Sequence, residues 1–242
     1  MNRRSRVLLF DFDGTISLGD GPVARYAQCV ADCLGHRDGA RFVEAVAEHT
    51  TIGVTEAGML PRDGYDAVRL AAASFGVSAD ALARAYRLSR ADLAGVRAPI
   101  DPVPGLARFL GTIREHALLV LATNSPPTRI PEALHVLGLQ NTFDEVLTSV
   151  GKPDGLGTVL ERLQQTATDG PLRLLSIGDI WVNDLQPAAL RGFQTALIGP
   201  SAPPGATPTY RAERLDALFP VITAWLSSET PGLIVPIPHL QN

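Results

Sequence analysis

Five short, β-prone apolar runs punctuate the chain, and each gives way abruptly to polar residues or glycine. Residues 7–10 end at Asp11, 118–122 at Thr123 and Asn124, and 172–177 at Gly178 and Asp179. The run 145–148 leads to Gly151 and Lys152, and 195–198 ends at Gly199 and Pro200. Apolar residues at helical spacing fill the intervals and predict helices over 104–115, 129–137, 154–165 and 183–190. Strand, loop and helix in alternation build a parallel sheet with helices on both faces, so the expected fold class is α/β and doubly wound. Ligands bind such sheets beyond the carboxyl ends of the strands. The residues that stop each run are therefore the candidate site residues.

The rhythm breaks between residues 18 and 99, where helix follows helix with no strand signal, over 22–34, 39–48, 64–75 and 79–93. Turn-rich sequence from Thr50 to Asp63, with Gly53, Gly58 and Pro61, separates the second helix from the third. Pro99, Pro102, Pro104 and Gly105 mark the return to the sheet. The expected organisation is a Rossmann-like core of residues 1–17 and 100–228, an inserted all-helical domain at 18–99, and a Pro-containing C-terminal tail at 229–242. Acidic residues and Arg nearly cancel within the insert, so it is no electrostatic clamp for a polymer.

Composition removes several function classes. The net charge is −4, and no basic block or Lys/Arg stripe with interleaved aromatics occurs, which argues against a nucleic-acid partner. Arg3, Arg4 and Arg6 precede an apolar run that soon meets Asp11 and Asp13, too short for a signal peptide. No apolar stretch approaches a membrane span. A soluble, cytoplasmic protein without a membrane partner is expected, as a monomer or weak homodimer. Cys29 and Cys33 lie four apart on one face of a predicted helix, with no His or Cys at ligand spacing nearby. They read as two small apolar core residues.

Among 21 Lys plus Arg, only Lys152 is a lysine. Elsewhere the chain uses Arg as its cation, so a compact ammonium at Gly151-Lys152-Pro153 marks a place where a planar guanidinium fork does not serve. In such a sheet the strand ends would bring together the carboxylates of Asp11, Asp13, Asp179 and Asp184, this ammonium and the Thr123 hydroxyl. Like charges so close disfavour ionisation. A hard divalent cation together with a phosphate makes the cluster sensible, and Mg²⁺ takes such oxygen ligands. Lys152 adds a point charge for phosphate oxygens. Gly14 lets the backbone after Asp11 approach a ligand and expose N–H groups to an anion, making Phe12 and Gly14 phosphate-binding positions. Asp184 opens a predicted helix, where capping competes with a site role.

Asp11-Phe12-Asp13-Gly14-Thr15, Leu121-Ala122-Thr123-Asn124, Gly151-Lys152-Pro153 and Gly178-Asp179-Ile180-Trp181-Val182-Asn183-Asp184 resemble, in order, the four motifs of the haloacid dehalogenase superfamily. The insert resembles that family's helical cap. The resemblance implies that Asp11 is a nucleophile forming a phosphoaspartyl intermediate, and that Asp13 is general acid and then general base. It implies that Thr123 and the Asn124 backbone hold a phosphoryl oxygen and that Lys152 neutralises Asp11 and the phosphate. Asp11, the Asp13 carbonyl and Asp179 would bind Mg²⁺, and Asp184 would support the metal or Lys152.

Within the family, Asp13 points away from dehalogenation, because that branch lacks the acid/base Asp. A phosphonate-cleaving relative uses a cap lysine, and residues 18–99 contain none. The resemblance thus implies a Mg²⁺-dependent phosphatase acting on a small phosphorylated metabolite. A sugar phosphomutase, which shares the four motifs, and a non-catalytic binding protein on the same scaffold are the alternatives. The hinge into the insert departs from the family pattern at Ser17-Leu18-Gly19-Asp20-Gly21-Pro22. Asp20 is expected to cap the helix begun by Pro22, with substrate contact as the alternative. Arg25 and Arg62 are the insert's candidate substrate contacts.

Overall fold

The computed structural model describes residues 5–52, 61–167, 170–199 and 202–228. The chain begins with β1 (Arg6–Phe10) and β2 (Ser17–Leu18), followed by α1 (Gly21–Leu34), α2 (His36–Ile52), α3 (Gly64–Ser74) and α4 (Ala79–Ala91). Next come β3 (Asp101–Pro102), α5 (Leu106–Ile113), β4 (Leu118–Ala122), α6 (Ile130–Val136), β5 (Glu145–Leu147) and α7 (Asp154–Thr166). β6 (Arg173–Gly178), a π-helical turn (Trp181–Leu185), α8 (Gln186–Ala189), β7 (Gln194–Ile198), β8 (Tyr210–Ala212), a 3-10 turn (Leu215–Leu218) and α9 (Phe219–Ser227) complete it.

Six strands form one parallel sheet in the order β5-β4-β1-β6-β7-β8. This is the Rossmann-like, doubly wound order, and it reverses between β1 and β6. Phe10 is in register with Ile177 there, and the Asp11 N–H extends the ladder to the Ile177 carbonyl at 2.9 Å. Asp11 and Gly178-Asp179 thus leave the sheet side by side at the switch point. β1 is apolar on both faces because both are covered. Val7 and Leu9 pack with Leu156, Leu160 and Leu163 of α7, while Leu8 and Phe10 alternate to the other face. All four are at most 2% exposed, each contributing about 1.5–3 kcal/mol by burial. α5 and α9 meet through the stacked rings of Phe109 and Phe219, 4.1 Å between centroids. At the start of β6, Arg173 donates to the Trp225 carbonyl at 2.9 Å and lies 4.9 Å from its ring, holding the C-terminal end of α9. Cationic groups are favoured at that end of a helix.

The chain divides into two compact units, residues 1–18, 102–126 and 137–242, and residues 19–101 with 127–136. β2 and β3 pair where the chain passes from one to the other and returns. The second unit contains α1–α4 and α6. Tyr26, Val30, Phe42, Val68 and Ala72 form its core, and Tyr26 also meets the rings of Tyr65 and Tyr86. Asp63 caps α3 by accepting from the Asp66 N–H at 2.6 Å, and Ser78 caps α4 through the Ala81 N–H at 3.2 Å.

Several expectations need correction. Residues 127–136, placed by the sequence with the core, group with the helical unit, where Arg129 Nε donates to the Leu93 carbonyl at 2.7 Å. Asp20 stands at the N-cap position of α1 but accepts no capping bond, because its backbone is helical (φ −89°, ψ −1°) rather than extended. Cys29 is buried but Cys33 is exposed, its Sγ bonded to the Cys29 carbonyl. The helix expected over 183–190 is a π-helical turn followed by the single turn of α8. β8 and α9 were not anticipated. Gly53, Gly58 and the tail 229–242 lie outside the described residues. Among the described residues, no helix is long and apolar enough to cross a membrane.

Candidate active site

Lys152 enters the site from the loop before α7, and its side chain is 3% exposed. Its ammonium donates to Asp11 Oδ1, to Asp184 Oδ1 at 2.6 Å and to the Ala122 carbonyl at 3.0 Å. An ammonium has three N–H donors, and here three oxygens converge on it from the ends of β1, β4 and the turn after β6. That match explains why this position is lysine in an arginine-using chain. The Lys152 backbone is fixed by a two-way bond with the Asn124 side chain. The Lys152 N–H donates to Asn124 Oδ1 at 2.6 Å, and Asn124 Nδ2 donates to the Lys152 carbonyl at 3.2 Å.

Asp184 folds back from the π-helical turn. Its Oδ2 accepts from the Ile180 N–H at 3.0 Å, and its carbonyl accepts from Ser176 Oγ at 2.6 Å. Gly178 permits this approach, since a Cβ there would lie 2.7 Å from Asp184 Cγ. Asp184 does not occupy the N-cap position of the π-helical turn or of α8, which Ile180 and Leu185 fill, so the capping reading does not hold. The second Asp184 oxygen serves Lys152.

Asp179 comes over the loop after β1. A Cβ at position 14 would lie 2.8 Å from Asp179 Cγ, so Gly14 makes room for this carboxylate at φ +83°. The Gly14 N–H donates to the Ser17 carbonyl at 2.9 Å. Gly14 therefore contributes space rather than the free donor expected from the sequence. The Phe12 carbonyl closes the same loop by accepting from Ile16 and Ser17, at 3.1 and 3.0 Å. Thr123 is buried, and its Oγ1 accepts from the Ser125 N–H at 3.0 Å, which leaves its own hydroxyl proton to donate. Asp13 is held at Oδ2 by the Ser125 hydroxyl at 2.8 Å.

Electrostatics follow from this packing. Burial pushes the Asp11 carboxyl up to about 7, Asp184 pushes it the same way, and Lys152 opposes both. Burial works against the Lys152 ammonium, but Asp11 and Asp184 outweigh it and hold it above the usual lysine range. One ammonium does not balance four carboxylates. One oxygen from each of Asp11, Asp179 and Asp184 lies within 4.8 Å of the others, a hard all-oxygen donor set that fits Mg²⁺.

All the core positions singled out from the sequence thus gather at one end of the sheet unit. Arg25 and Arg62 lie in the helical unit. Arg25 pairs with Asp92 at 2.7 Å, and Arg62 lies 3.5 Å from Asp66 within the helical unit. Ser125, Ser176 and the side-chain role of Asn124 were missed. Their one signal was position, directly after or within the runs that end at the site.

The sheet order places these carboxylates and their shared ammonium at the switch point of a doubly wound fold, where ligands bind. The family model for haloacid dehalogenase-like hydrolases matches residues 6–190, and the chain belongs to that family. Solved structures agree in fold. The provisionally assigned HAD-hydrolase YfnB of Bacillus subtilis, bound to magnesium, is 21% identical with a TM-score of 0.60, over 91% of this chain and 99% of that one. A predicted phosphoglycolate phosphatase from Haemophilus somnus is 15% identical with a TM-score of 0.62, over 90% and 98%. A 2-haloacid dehalogenase from Pseudomonas syringae is 18% identical with a TM-score of 0.53, over 91% and 99%. No curated protein matches the chain.

Proposed function

We propose that this hydrolase is a Mg²⁺-dependent phosphatase that cleaves a small phosphate monoester through a phosphoaspartyl intermediate on Asp11. The observation that carries the proposal is the division of labour between two neighbouring carboxylates. Asp11 shares the Lys152 ammonium with Asp184, whereas Asp13, two residues on, is held by a neutral hydroxyl. One is suited to attack and the other to move a proton.

In the first half-reaction, an Asp11 oxygen bonds to phosphorus and the bond to the leaving oxygen breaks, its electron pair staying on that oxygen. Asp13 gives that oxygen a proton. In the second, Asp13 takes a proton from water as the water oxygen bonds to phosphorus, and the bond to Asp11 breaks. The Thr123 hydroxyl holds a phosphoryl oxygen in both halves, and the Lys152 charge, fixed on Asp11 and Asp184, offsets the negative charge of the site. Asp11, the Asp13 carbonyl and Asp179 would hold Mg²⁺, with Asp184 supporting Lys152. The cation would neutralise phosphoryl charge and orient the group for in-line transfer. We assign the helical unit the role of a cap that contributes specificity for the leaving group.

The test is phosphate release from a panel of small phosphate monoesters, with Mg²⁺ and with chelator, using Asp11→Asn as control. The proposal expects release that needs the metal and is absent in the control. Isomerised sugar phosphate without free phosphate would replace it with a mutase, and an inert protein on every ester would contradict it.

A further inference from the structure

We propose that Ser125 positions Asp13 for proton transfer, an inference that rests on the phosphatase reading above. The Ser125 hydroxyl donates to Asp13 Oδ2 at 2.8 Å across 112 residues of chain. It does so from a fixed backbone. The Ser125 N–H donates to Thr123 Oγ1 at 3.0 Å, and its carbonyl accepts from the Ser149 N–H at 2.8 Å. The residue is 2% exposed and has one side-chain torsion before its oxygen. Asp13, by contrast, lies half-buried on a loop, and a carboxylate turns readily about its terminal torsion. Misplacing an acid by about 1 Å is enough to cost a large part of its rate contribution.

The chemistry of the partner also fits. A hydroxyl can donate to Asp13 as a carboxylate and, by turning, accept from it as a carboxylic acid. An ammonium or guanidinium could serve only the first state. The three Lys152 donors are placed elsewhere, on Asp11, Asp184 and the Ala122 carbonyl. Ser125 therefore stays bonded while Asp13 gives its proton to the leaving oxygen and later takes one from water, and is itself unchanged by the cycle.

The leaving group separates this role from a structural one. An alkyl phosphate expels an alkoxide that needs a proton, whereas p-nitrophenyl phosphate expels a stable phenolate that does not. The comparison uses kcat/KM, which reports the transfer to Asp11 and not the later hydrolysis. Ser125→Ala should lower kcat/KM about 10- to 100-fold for the alkyl ester and less than about threefold for the aryl ester. Ser125→Thr, which keeps the hydroxyl, should restore the alkyl rate. Should Ser125→Ala fail to fold by thermal melting, the near-isosteric Ser125→Cys carries the same comparison. Equal losses on both esters, or wild-type rates on both, overturn the positioning role. Asp11-dependent turnover by the wild type shows in that case that the phosphatase reading stands. A wild type inert on both esters overturns that reading and the role of Ser125 with it.

Discussion

Replacing Lys152 by Met removes the charge and nearly preserves the stem. The Lys152 side chain is 3% exposed, and the side chains of Asp11 and Asp184 that it joins are 10% and 4% exposed. Taking one partner from a buried pair leaves charge uncompensated and costs about 3–5 kcal/mol. For a domain of this size, each kcal/mol moves Tm by roughly 2–4 °C, so Lys152→Met should melt about 6–20 °C below wild type. The deficit should also depend on pH. Without metal, folded Asp11 keeps its proton up to about 7, whereas the unfolded chain releases it near the ordinary carboxylate value of 3.8. Ionising Asp11 therefore costs stability as pH rises through that window. Lys152 stays charged throughout it, since its folded value lies above the usual lysine range. Removing its attraction pushes Asp11 higher still. The gap in Tm between wild type and variant should thus be wider at pH 8 than at pH 5, read by calorimetry in chelator. An equal Tm at pH 8, or a gap that closes as pH rises, would refute this electrostatic account of the site.

Two further outcomes follow from the same geometry. Gly14→Ala should lose about 1–2 kcal/mol through left-handed strain at φ +83°. It should also lose the thermal shift that Mg²⁺ produces, because the new Cβ displaces Asp179; an intact shift by fluorimetry would contradict that placement. Mg²⁺ affinity measured by calorimetry should fall about tenfold per pH unit below about 7 and level off above it, since the cation competes with the proton on Asp11. A flat profile from pH 5.5 to pH 8.5 would contradict it.

The sheet was legible because its central strands are buried on both faces. Val7, Leu8, Leu9 and Phe10 read as one apolar run that stops where the chain leaves the core. Asp11, Thr123, Lys152 and Asp179 were legible for the same reason, since each stands where such a run ends or leads. β8 was not, because Tyr210-Arg211-Ala212 is a short edge strand with little apolar pattern. The partners of the site residues were hidden for a different reason. Ser125 meets Asp13, and Asn124 meets Lys152, only through the parallel register of strands far apart in sequence. The expectation for Gly14 was half right. The sequence signalled a close approach, but the Asp179 carboxylate fills the space and the loop itself takes the N–H.

The central claim is covalent catalysis by Asp11, and trapping tests it most directly. Enzyme turning over a phosphate monoester with Mg²⁺ would be quenched in acid, reduced with borohydride and mapped by peptide mass spectrometry. An acyl phosphate on Asp11 is reduced to homoserine, so the account predicts homoserine at position 11 only when substrate and metal are both present. Rapid phosphate release with unmodified Asp11 at every quench time, or homoserine at another carboxylate, would contradict it.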